Sequence, residues 1–325
     1  TVWAFYGALA VVAMKPRRRR SPVEDGEGKP IGAGSSWRYG LPAAVVLTAG
    51  LLAALPDGRL HIYALDVGQG DAILVRTPRG RTLLVDGGPD PLLLTRRLGQ
   101  VLPFFQRRID LLVSTHADSD HLGGLIAVTQ RYKVSAVVAA PCAGSGDLVR
   151  AWQQSLHESG ITVVKGVAGT RVDVEPGMTL TVLHPSSAAD CDTSVPGNDQ
   201  SVVCLMEYGA ARVLLTGDAG EAVERTLVAS LPLEGITLLK VAHHGAATAS
   251  SEALLDETRP AVALISVGRG NDYGHPSPAV LERLEAHGSK VLRTDELGTV
   301  EFVTNGERYW LMIHPTLSSK AAGSE

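Results

Sequence analysis

Short apolar or β-branched runs alternate with polar, glycine-rich segments between residues 60 and 313. The early runs are separated by turns, and the later ones alternate with segments of helical spacing. This order favours sheets flanked by helices, an α/β fold. Strands are predicted at 60–67, 72–76, 82–85, 109–113, 134–140, 161–164, 180–183, 201–207, 212–215, 236–241, 261–266, 290–292, 299–303 and 309–313. Helices are predicted at 91–102, 122–131, 148–159, 221–230, 252–257 and 278–287.

The first 57 residues differ in composition from the rest of the chain. Apolar runs at 2–14 and 41–55 flank a basic cluster and a linker-like stretch rich in glycine, proline, serine and charge. Each run is shorter than the roughly 20 residues of a membrane-spanning helix. Two interpretations stay open: two membrane segments with the basic loop on the cytoplasmic side, or two buried or interfacial helices. The sequence starts at Thr1, so we expect a fragment of a longer protein.

Composition allows one large globular domain or two small ones. The 325 residues are 45% hydrophobic and 20% charged, which is enough apolar material for a sizeable core. The three cysteines, at positions 142, 191 and 204, show no CxxC spacing. We therefore expect small core or loop cysteines, and neither a zinc ribbon nor a disulfide framework.

Four side chains that can bind metal lie within six residues, directly after the strand predicted at 109–113. They are His116, Asp118, Asp120 and His121. Successive strand residues point to opposite faces, so a cluster this dense fits a loop at the end of a strand. Imidazole and carboxylate ligands together suit zinc, manganese or iron better than calcium or magnesium. The alternative is a charged, solvated loop.

Further strand-to-loop junctions carry chemically competent residues. Asp86 and Asp218 each follow an apolar strand, His243 and His244 end another, and His275 lies in a turn. A single carboxylate or histidine in such a place often only caps a helix or stabilises a loop. Several of them together indicate a site, because functional groups collect outside the strand ends of sheets flanked by helices.

The order of these motifs resembles that of the metallo-β-lactamase superfamily. Residues 116–121 look like its HxHxDH signature, with Asp118 in place of the second histidine. Asp86 matches its first motif, Asp218 its bridging aspartate, and the pair at 243–244 its last histidine motif. The chain is also similar to the C-terminal hydrolase domain of the ComEC/Rec2 competence family. That similarity is carried by residues 65–71, 198–203, 240–245 and 271–276.

The resemblance implies a four-layer αβ/βα sandwich with two mixed β-sheets over residues 58–315. Residues 1–57 would then be the end of a membrane-embedded segment with a basic loop and linker, and 316–325 a polar tail. It also implies two divalent metal ions, zinc or manganese. The implied ligands are His116 and Asp118 for the first metal, Asp120 and His121 for the second, a bridging Asp218, and His243 or His244.

The remaining site residues are also assigned by this resemblance. Asp86 would orient the ligands from behind, and Asp66 and Asp71 either do the same or stabilise loops. His184 is a possible additional ligand. Asp120 or Asp218 would orient the attacking hydroxide, while His275 would contact a phosphate oxygen or protonate the leaving group. The substrate-binding candidates are Asn198, Ser201, Lys240 and His275; for Lys240 a solvated lysine at a strand edge is the alternative.

The implied function is a metal-dependent nuclease that degrades the non-transported strand during DNA uptake in natural transformation. Its partners would be DNA, the membrane channel portion of the same protein and other DNA-uptake proteins, with the hydrolase domain on the extracytoplasmic side of the cell membrane. From residue 58 onward, 23 Lys and Arg face 30 Asp and Glu, a formal charge of −7, so bulk attraction of DNA is absent. Seven arginines form either a local basic strip that could hold DNA or a solvated face: Arg76, Arg79, Arg81, Arg96, Arg97, Arg107 and Arg108.

Two alternatives remain. One is a small-molecule or cell-envelope phosphodiesterase, such as a phosphocholine esterase acting on teichoic acids. The other is a metal-containing but catalytically idle domain that threads DNA for the channel.

Overall fold

A computed structural model of the chain describes residues 55–141, 144–187 and 197–314, together with 45 and 48. Contacts divide the chain into two compact units, 1–55 and 56–325, and the fold below is that of the second. Within the described residues, no helix is both long enough and apolar enough to cross a membrane. The run at 2–14, most of the run at 41–55 and the tail at 316–325 lie outside the described residues, so their assignments remain predictions.

The secondary structure of the second unit consists of short strands and helices. Strands β1 to β8 are Leu60–Ala64, Ile73–Arg76, Thr82–Val85, Arg108–Ile109, Leu111–Ser114, Lys133–Val134, Ala136–Ala139 and Thr162–Lys165. Strands β9 to β17 are Arg171–Glu175, Met178–His184, Val203–Tyr208, Ala211–Leu215, Leu238–Lys240, Val262–Ile265, Lys290–Arg293, Thr299–Thr304 and Tyr309–His314. Helices α1 to α8 are Pro91–Val101, Ser119–Leu122, Leu125–Arg131, Asp147–Glu158, Glu221–Ser230, Glu252–Thr258, Pro278–Ala286 and Thr294–Leu297.

Most strands belong to two mixed sheets. The first has the order β17-β16-β1-β2-β3-β5-β7-β8 and is antiparallel up to β3 and parallel from β3 to β8. The second has the order β15-β14-β13-β12-β11-β10-β9, with parallel pairing among β12 to β15. Strands β4 and β6 form a small parallel pair of their own.

Alternation along the strands separates three apolar layers. In β3, Leu83 belongs to a cluster shared by both sheets, whereas Leu84 belongs to a cluster shared with α1, α3 and α4. In β12, Val213 joins the shared cluster, whereas Leu214 packs with α5, α6 and α7. Since neighbouring strand residues face opposite sides, the two sheets lie face to face with helices outside them. This confirms the predicted four-layer αβ/βα sandwich.

Two differences from the predicted elements have physical reasons. The strand predicted at 60–67 ends at Ala64, and the chain continues as a loop in which Gly68 and Gly70 have φ of 79° and 134°. Strand β9 was not predicted from the sequence. It lies at the edge of the second sheet and is partly exposed, so it lacks the apolar run of a central strand.

Loops from several strands are joined by backbone hydrogen bonds. Within the first sheet, the Asp71 N–H donates to the carbonyl of Asp120 (3.1 Å), and the Gly88 N–H donates to the carbonyl of Asp71 (2.7 Å). Between the sheets, the Val202 N–H donates to the carbonyl of Thr115 (2.9 Å). The sandwich therefore brings loops from both sheets to one edge.

Candidate metal centre

Three histidines and several carboxylates meet at this edge. The Nε2 atom of His121 lies 3.2 Å from Oδ2 of Asp218, and Nε2 of His244 lies 3.5 Å from the same oxygen. His244 Nε2 is also 3.2 Å from Oδ2 of Asp120. The ring of His116 is 4.1 Å from that of His121, centroid to centroid. Loops after β5, β12 and β13 are thus brought together around one carboxylate, that of Asp218.

The outer ring nitrogens of all three histidines are held by the protein. His121 Nδ1 contacts Asp86 Oδ2 at 2.8 Å, and His244 Nδ1 donates to the carbonyl of Ser266 at 2.9 Å. His116 Nδ1 lies 3.0 Å from the Thr115 hydroxyl. Each contact fixes the ring so that Nε2 faces the interior of the cluster, as metal-binding histidines require. Within the described part of the chain, the buried Nε2 of His116 has no hydrogen-bond partner.

Asp86 lies behind the cluster, and its carboxylate contacts both Thr115 and His121. One of its oxygens accepts from the Thr115 N–H (2.8 Å), and the other accepts from the Thr115 hydroxyl (2.7 Å) and contacts His121. The residue is 1% exposed and has φ of 57°, a left-handed conformation that costs about 1–3 kcal/mol in a non-glycine residue. The strained turn aims its carboxylate at His121 and at Thr115, the residue directly before His116.

A second buried carboxylate, Asp71, pairs with Lys240. The ammonium group contacts Asp71 Oδ2 and lies 3.6 Å from Asp218 Oδ1. Burial alone would raise the pKa of Asp71, but Lys240, His244 and His121 outweigh it and lower the pKa to about 2. Asp71 therefore stays ionised at the floor of the site.

The histidine pair at 243–244 lies in a short 3₁₀ turn, Ala242–Gly245, directly after β13. Three successive residues there have positive φ: 47° at His243, 53° at His244 and 83° at Gly245. The backbone is strained at the two non-glycine positions, His243 and His244, and such outliers collect at functional sites. The turn buries the ring of His244 and leaves His243 half-buried.

Charges at the cluster shift the histidine pKa values strongly. Burial lowers the pKa of His121, but the carboxylates of Asp218 and Asp86 outweigh it and raise the pKa well above its usual value. Burial is likewise outweighed at His244, where Asp218 and Asp120 help raise the pKa to about 9. A field that favours protons on these rings equally favours a divalent cation between them.

The residues present fit divalent metal ions. Four groups of side chains each place their ligand atoms within 4.8 Å of one another. One of them, Asp71, Asp86 and His121, lies on the Nδ1 side of His121. The other three are His116, His121 and Asp218; Asp120, His121 and His244; and Asp71, Asp218 and His244. These groups combine histidine Nε2 atoms with carboxylate oxygens, and several of these buried atoms have no hydrogen-bond partner among the described residues. Zinc, manganese and iron all bind such a set of nitrogen and oxygen donors. Asp118 lies beside the group that contains His116, with Oδ2 3.7 Å from Nε2 of His116, and its side chain is 55% exposed.

The mouth of the cluster is lined by His243, Asn198 and His275. The Asn198 amide nitrogen lies 3.3 Å from both ring nitrogens of His243, whose ring centroid is 5.5 Å from that of His275. Burial, followed by the nearby His243 and His244, lowers the pKa of His275, so its ring is neutral at neutral pH. Neither His243 nor His275 is in the buried ligand groups of the described residues.

Three residues assigned from the sequence occupy other environments. Lys240 is 1% exposed because Asp71 and Gly217 hold its ammonium group inside, so it is not a solvated lysine at a strand edge. Ser201 is also buried, and its hydroxyl accepts a hydrogen bond from the Asp218 N–H (3.1 Å). Asp66 pairs with Arg97 (2.9 Å), which stabilises a loop rather than the cluster.

His184 and the arginines are also engaged elsewhere. His184 Nε2 lies 2.9 Å from the carbonyl oxygen of Asp199, and His184 is absent from the ligand groups of the described residues. Within the arginine strip, Arg97 is paired with Asp66 and Arg108 with Asp110 (2.7 Å). These two guanidinium groups are therefore partly neutralised.

Sequence inspection missed two supporting residues. Thr115 holds both Asp86 and His116 through its hydroxyl, and the carbonyl of Ser266 orients His244. Thr115 could have been suspected because it directly precedes the Asp/His cluster. Ser266 acts through its backbone, which carries no sequence signal.

The chain belongs to the metallo-β-lactamase superfamily, whose profile matches residues 65–269. It is thus a member of a superfamily of metal-dependent hydrolases, and both the predicted superfamily and the predicted fold are confirmed.

The chain is also similar to bacterial competence proteins, as predicted. It is 34% identical to competence protein ComA of Neisseria gonorrhoeae, over 80% of this chain and 35% of that protein. It is 30% identical to ComE operon protein 3 of Bacillus subtilis, over 74% and 33% respectively. With recombination protein 2 of Haemophilus influenzae, identity is 31% over 74% and 28%. The chain therefore spans about a third of the length of these relatives.

Proposed function

We propose that this chain is a metal-dependent phosphodiesterase that cleaves DNA, and that it degrades the strand that is not transported during DNA uptake. The observation that carries the proposal is the position of Asp218. One of its oxygens lies 3.2 Å from His121 Nε2 and 3.5 Å from His244 Nε2, so it can serve both halves of a two-metal site. His116, Asp118, Asp120, His121, Asp218 and His244 would hold the two ions.

A phosphodiester needs this arrangement because it is anionic and hydrolyses slowly. A bound pair of divalent ions supplies a water of lowered pKa and neutralises charge on the phosphoryl oxygens. Asp120, whose side chain is 31% exposed and lies 3.2 Å from His244 Nε2, can orient the attacking water. His275, neutral at neutral pH, donates a hydrogen bond to a phosphate oxygen.

DNA is proposed as the substrate because three relatives that the chain resembles over most of its length carry the names of competence and recombination proteins. In that role the chain acts beside a membrane channel portion of the same protein and other DNA-uptake proteins, on the extracytoplasmic side of the cell membrane. Because the formal charge from residue 58 onward is −7, bulk charge does not attract DNA, and bound metal ions would have to hold the phosphates.

The proposal is tested by assaying the full chain on single- and double-stranded DNA with zinc, with manganese and without metal. We expect metal-dependent cleavage that is lost in Asp120→Ala and His121→Ala. Cleavage of small diesters alone would indicate a small-molecule or cell-envelope phosphodiesterase. Bound metal with no cleavage of any diester would indicate a domain that only threads DNA.

A further inference from the structure

A loop after β14 carries an exposed aromatic ring to the mouth of the metal centre. Tyr273 is 72% exposed, although its backbone is held in place. The side-chain oxygen of Asn271 accepts from the N–H groups of Tyr273 and His275, both at 3.1 Å. The side-chain amide of Asn271 donates to the carbonyl of His275 (2.6 Å) and to that of Gly268 (3.0 Å). The ring thus stands in solvent on a rigid turn.

The exposed ring is the outer end of a series of rings that starts inside the metal centre. Ring centroids are separated by 5.3 Å between His121 and His244 and by 6.2 Å between His244 and His243. The next steps are 5.5 Å from His243 to His275 and 5.8 Å from His275 to Tyr273. Each ring is therefore within contact range of the next.

The outermost pair differs from the inner ones in geometry. His275 meets His243 edge-on, at 77°, whereas Tyr273 and His275 are stacked at 26°. The Tyr273 ring has His275 on one side and is largely open to solvent. A flat aromatic ring held on a fixed loop with one face open can stack against another flat ring.

We infer that Tyr273, supported by His275, is a stacking platform for a nucleobase of the strand whose phosphate lies at the metal centre. This inference deepens the proposed function and rests on it for the substrate class. Base–aromatic stacking tolerates every base, so the platform would position a strand without reading its sequence. It would also supply affinity that the negative charge of the chain does not.

The test uses the full chain with three variants. Tyr273→Leu removes the aromatic face at similar size, Tyr273→Phe keeps it without the hydroxyl, and Phe105→Leu removes an exposed ring (46% exposed) outside this series. One measurement is the binding, with manganese and by stopped flow, of a single-stranded oligonucleotide containing 2-aminopurine, read as fluorescence quenching before cleavage. The other is KM and kcat with manganese for a normal oligonucleotide and for one with abasic sites.

We expect Tyr273→Leu to weaken binding and raise KM about 5- to 150-fold, the range of one base–aromatic stack, with kcat changed less than about twofold. Tyr273→Phe and Phe105→Leu should behave as wild type, and quenching should be lost in Tyr273→Leu alone. Abasic DNA should show little difference between wild type and Tyr273→Leu. If Tyr273 had only a structural role, the effect of Tyr273→Leu would be the same on normal and abasic DNA.

The inference is overturned if wild type does not bind the oligonucleotide, if Tyr273→Leu binds it equally well, or if abasic DNA responds like normal DNA. Its failure can be told apart from failure of the proposed function. If binding depends on the Tyr273 ring but no DNA is cleaved, the proposed nuclease activity is wrong and the stacking platform stands. If DNA is cleaved equally well with and without the Tyr273 ring, the stacking platform is wrong and the nuclease activity stands.

Discussion

The ammonium group of Lys240 donates a hydrogen bond of 2.9 Å to the carbonyl oxygen of Gly217, and the Thr216 hydroxyl returns one of 2.6 Å to the carbonyl of Lys240. These bonds join the loops that follow β12 and β13. The same ammonium contacts Asp71, which lies in the loop between β1 and β2 of the first sheet. A charge buried this deeply is tolerated because carboxylates surround it, and it fixes the two sheets against each other at the site.

Replacing Lys240 with Met should therefore destabilise the protein. Removal of one partner from a buried ion pair costs about 3–5 kcal/mol because the other charge is left uncompensated. Urea unfolding followed by circular dichroism measures this change in the free energy of unfolding. The matched control is Arg150→Met, whose exposed pair with Asp147 should contribute less than about 1 kcal/mol. A loss at Lys240 as small as that of the control would contradict its structural role.

Replacing Asp86 with Asn should weaken metal binding without unfolding the protein. The carboxylate holds Thr115 and His121 together, and removal of such an outer partner typically costs 10- to 100-fold in metal affinity. Competition with a chelating dye measures the affinity. Asp110→Asn is the control, since that residue accepts from Thr82 at the other end of β5. Equal affinities in the two variants would refute the positioning role of Asp86.

His121→Ala should abolish metal loading, whereas His184→Ala should leave it intact. The Nε2 atom of His121 faces Asp218 at 3.2 Å inside the cluster, and that of His184 faces a backbone carbonyl elsewhere. The measurement is the metal content of purified protein by mass spectrometry, after dialysis against dilute zinc or manganese. If His184→Ala lost metal as His121→Ala does, the ligand set would have to include it.

A carboxylate in the first sheet should make stability depend on pH. Burial alone would raise the pKa of Glu301, but hydrogen bonds from His314, His61 and Tyr63 lower it to about 2 from its ordinary 4.5. The contribution of Glu301 to the free energy of unfolding is therefore present above pH 4.5 and declines as the pH falls towards 2. Burial is likewise outweighed at His61, where Glu301 and Asp57 raise the pKa above its ordinary 6.5. The contribution of His61 is complete below 6.5 and is lost as the pH rises through the shifted value.

The urea midpoints of wild type and Glu301→Gln should thus differ most between about pH 5 and 6.5. The difference should shrink as the pH is lowered below 4.5. Parallel midpoints from pH 3 to 6 would show that Glu301 and its histidines do not influence the fold in this way.

Much of the site could be predicted because its residues follow apolar strands. The chain carries Asp86, Asp218 and His244 directly after such runs, and parallel strands end at one edge of a sheet. The order of strands in the sequence therefore predicts that those loops meet. It does not predict which side chains from another layer will contact them.

Lys240 and Asp66 illustrate that limit. Lys240 shares its strand face with Leu238, which points into the layer between the sheets, so its burial depends on what the opposite sheet places there. Asp66 and Asp71 lie in one loop and look alike in sequence, yet Arg97 from α1 captures Asp66. The burial of Lys240 and the pairing of Asp66 both depend on packing between elements that are distant in sequence. The local sequence pattern does not predict such packing.

The central claim is that loops of both sheets hold two divalent ions around Asp218. It is tested most directly by anomalous diffraction from crystals of the full chain soaked with zinc or manganese. We predict two peaks, both within bonding range of Asp218, at about 2.0–2.2 Å from histidine nitrogens and carboxylate oxygens of the cluster, with His116 at one ion and His244 at the other. Absence of peaks at the cluster, or peaks that Asp218 and His244 do not contact, would contradict the account.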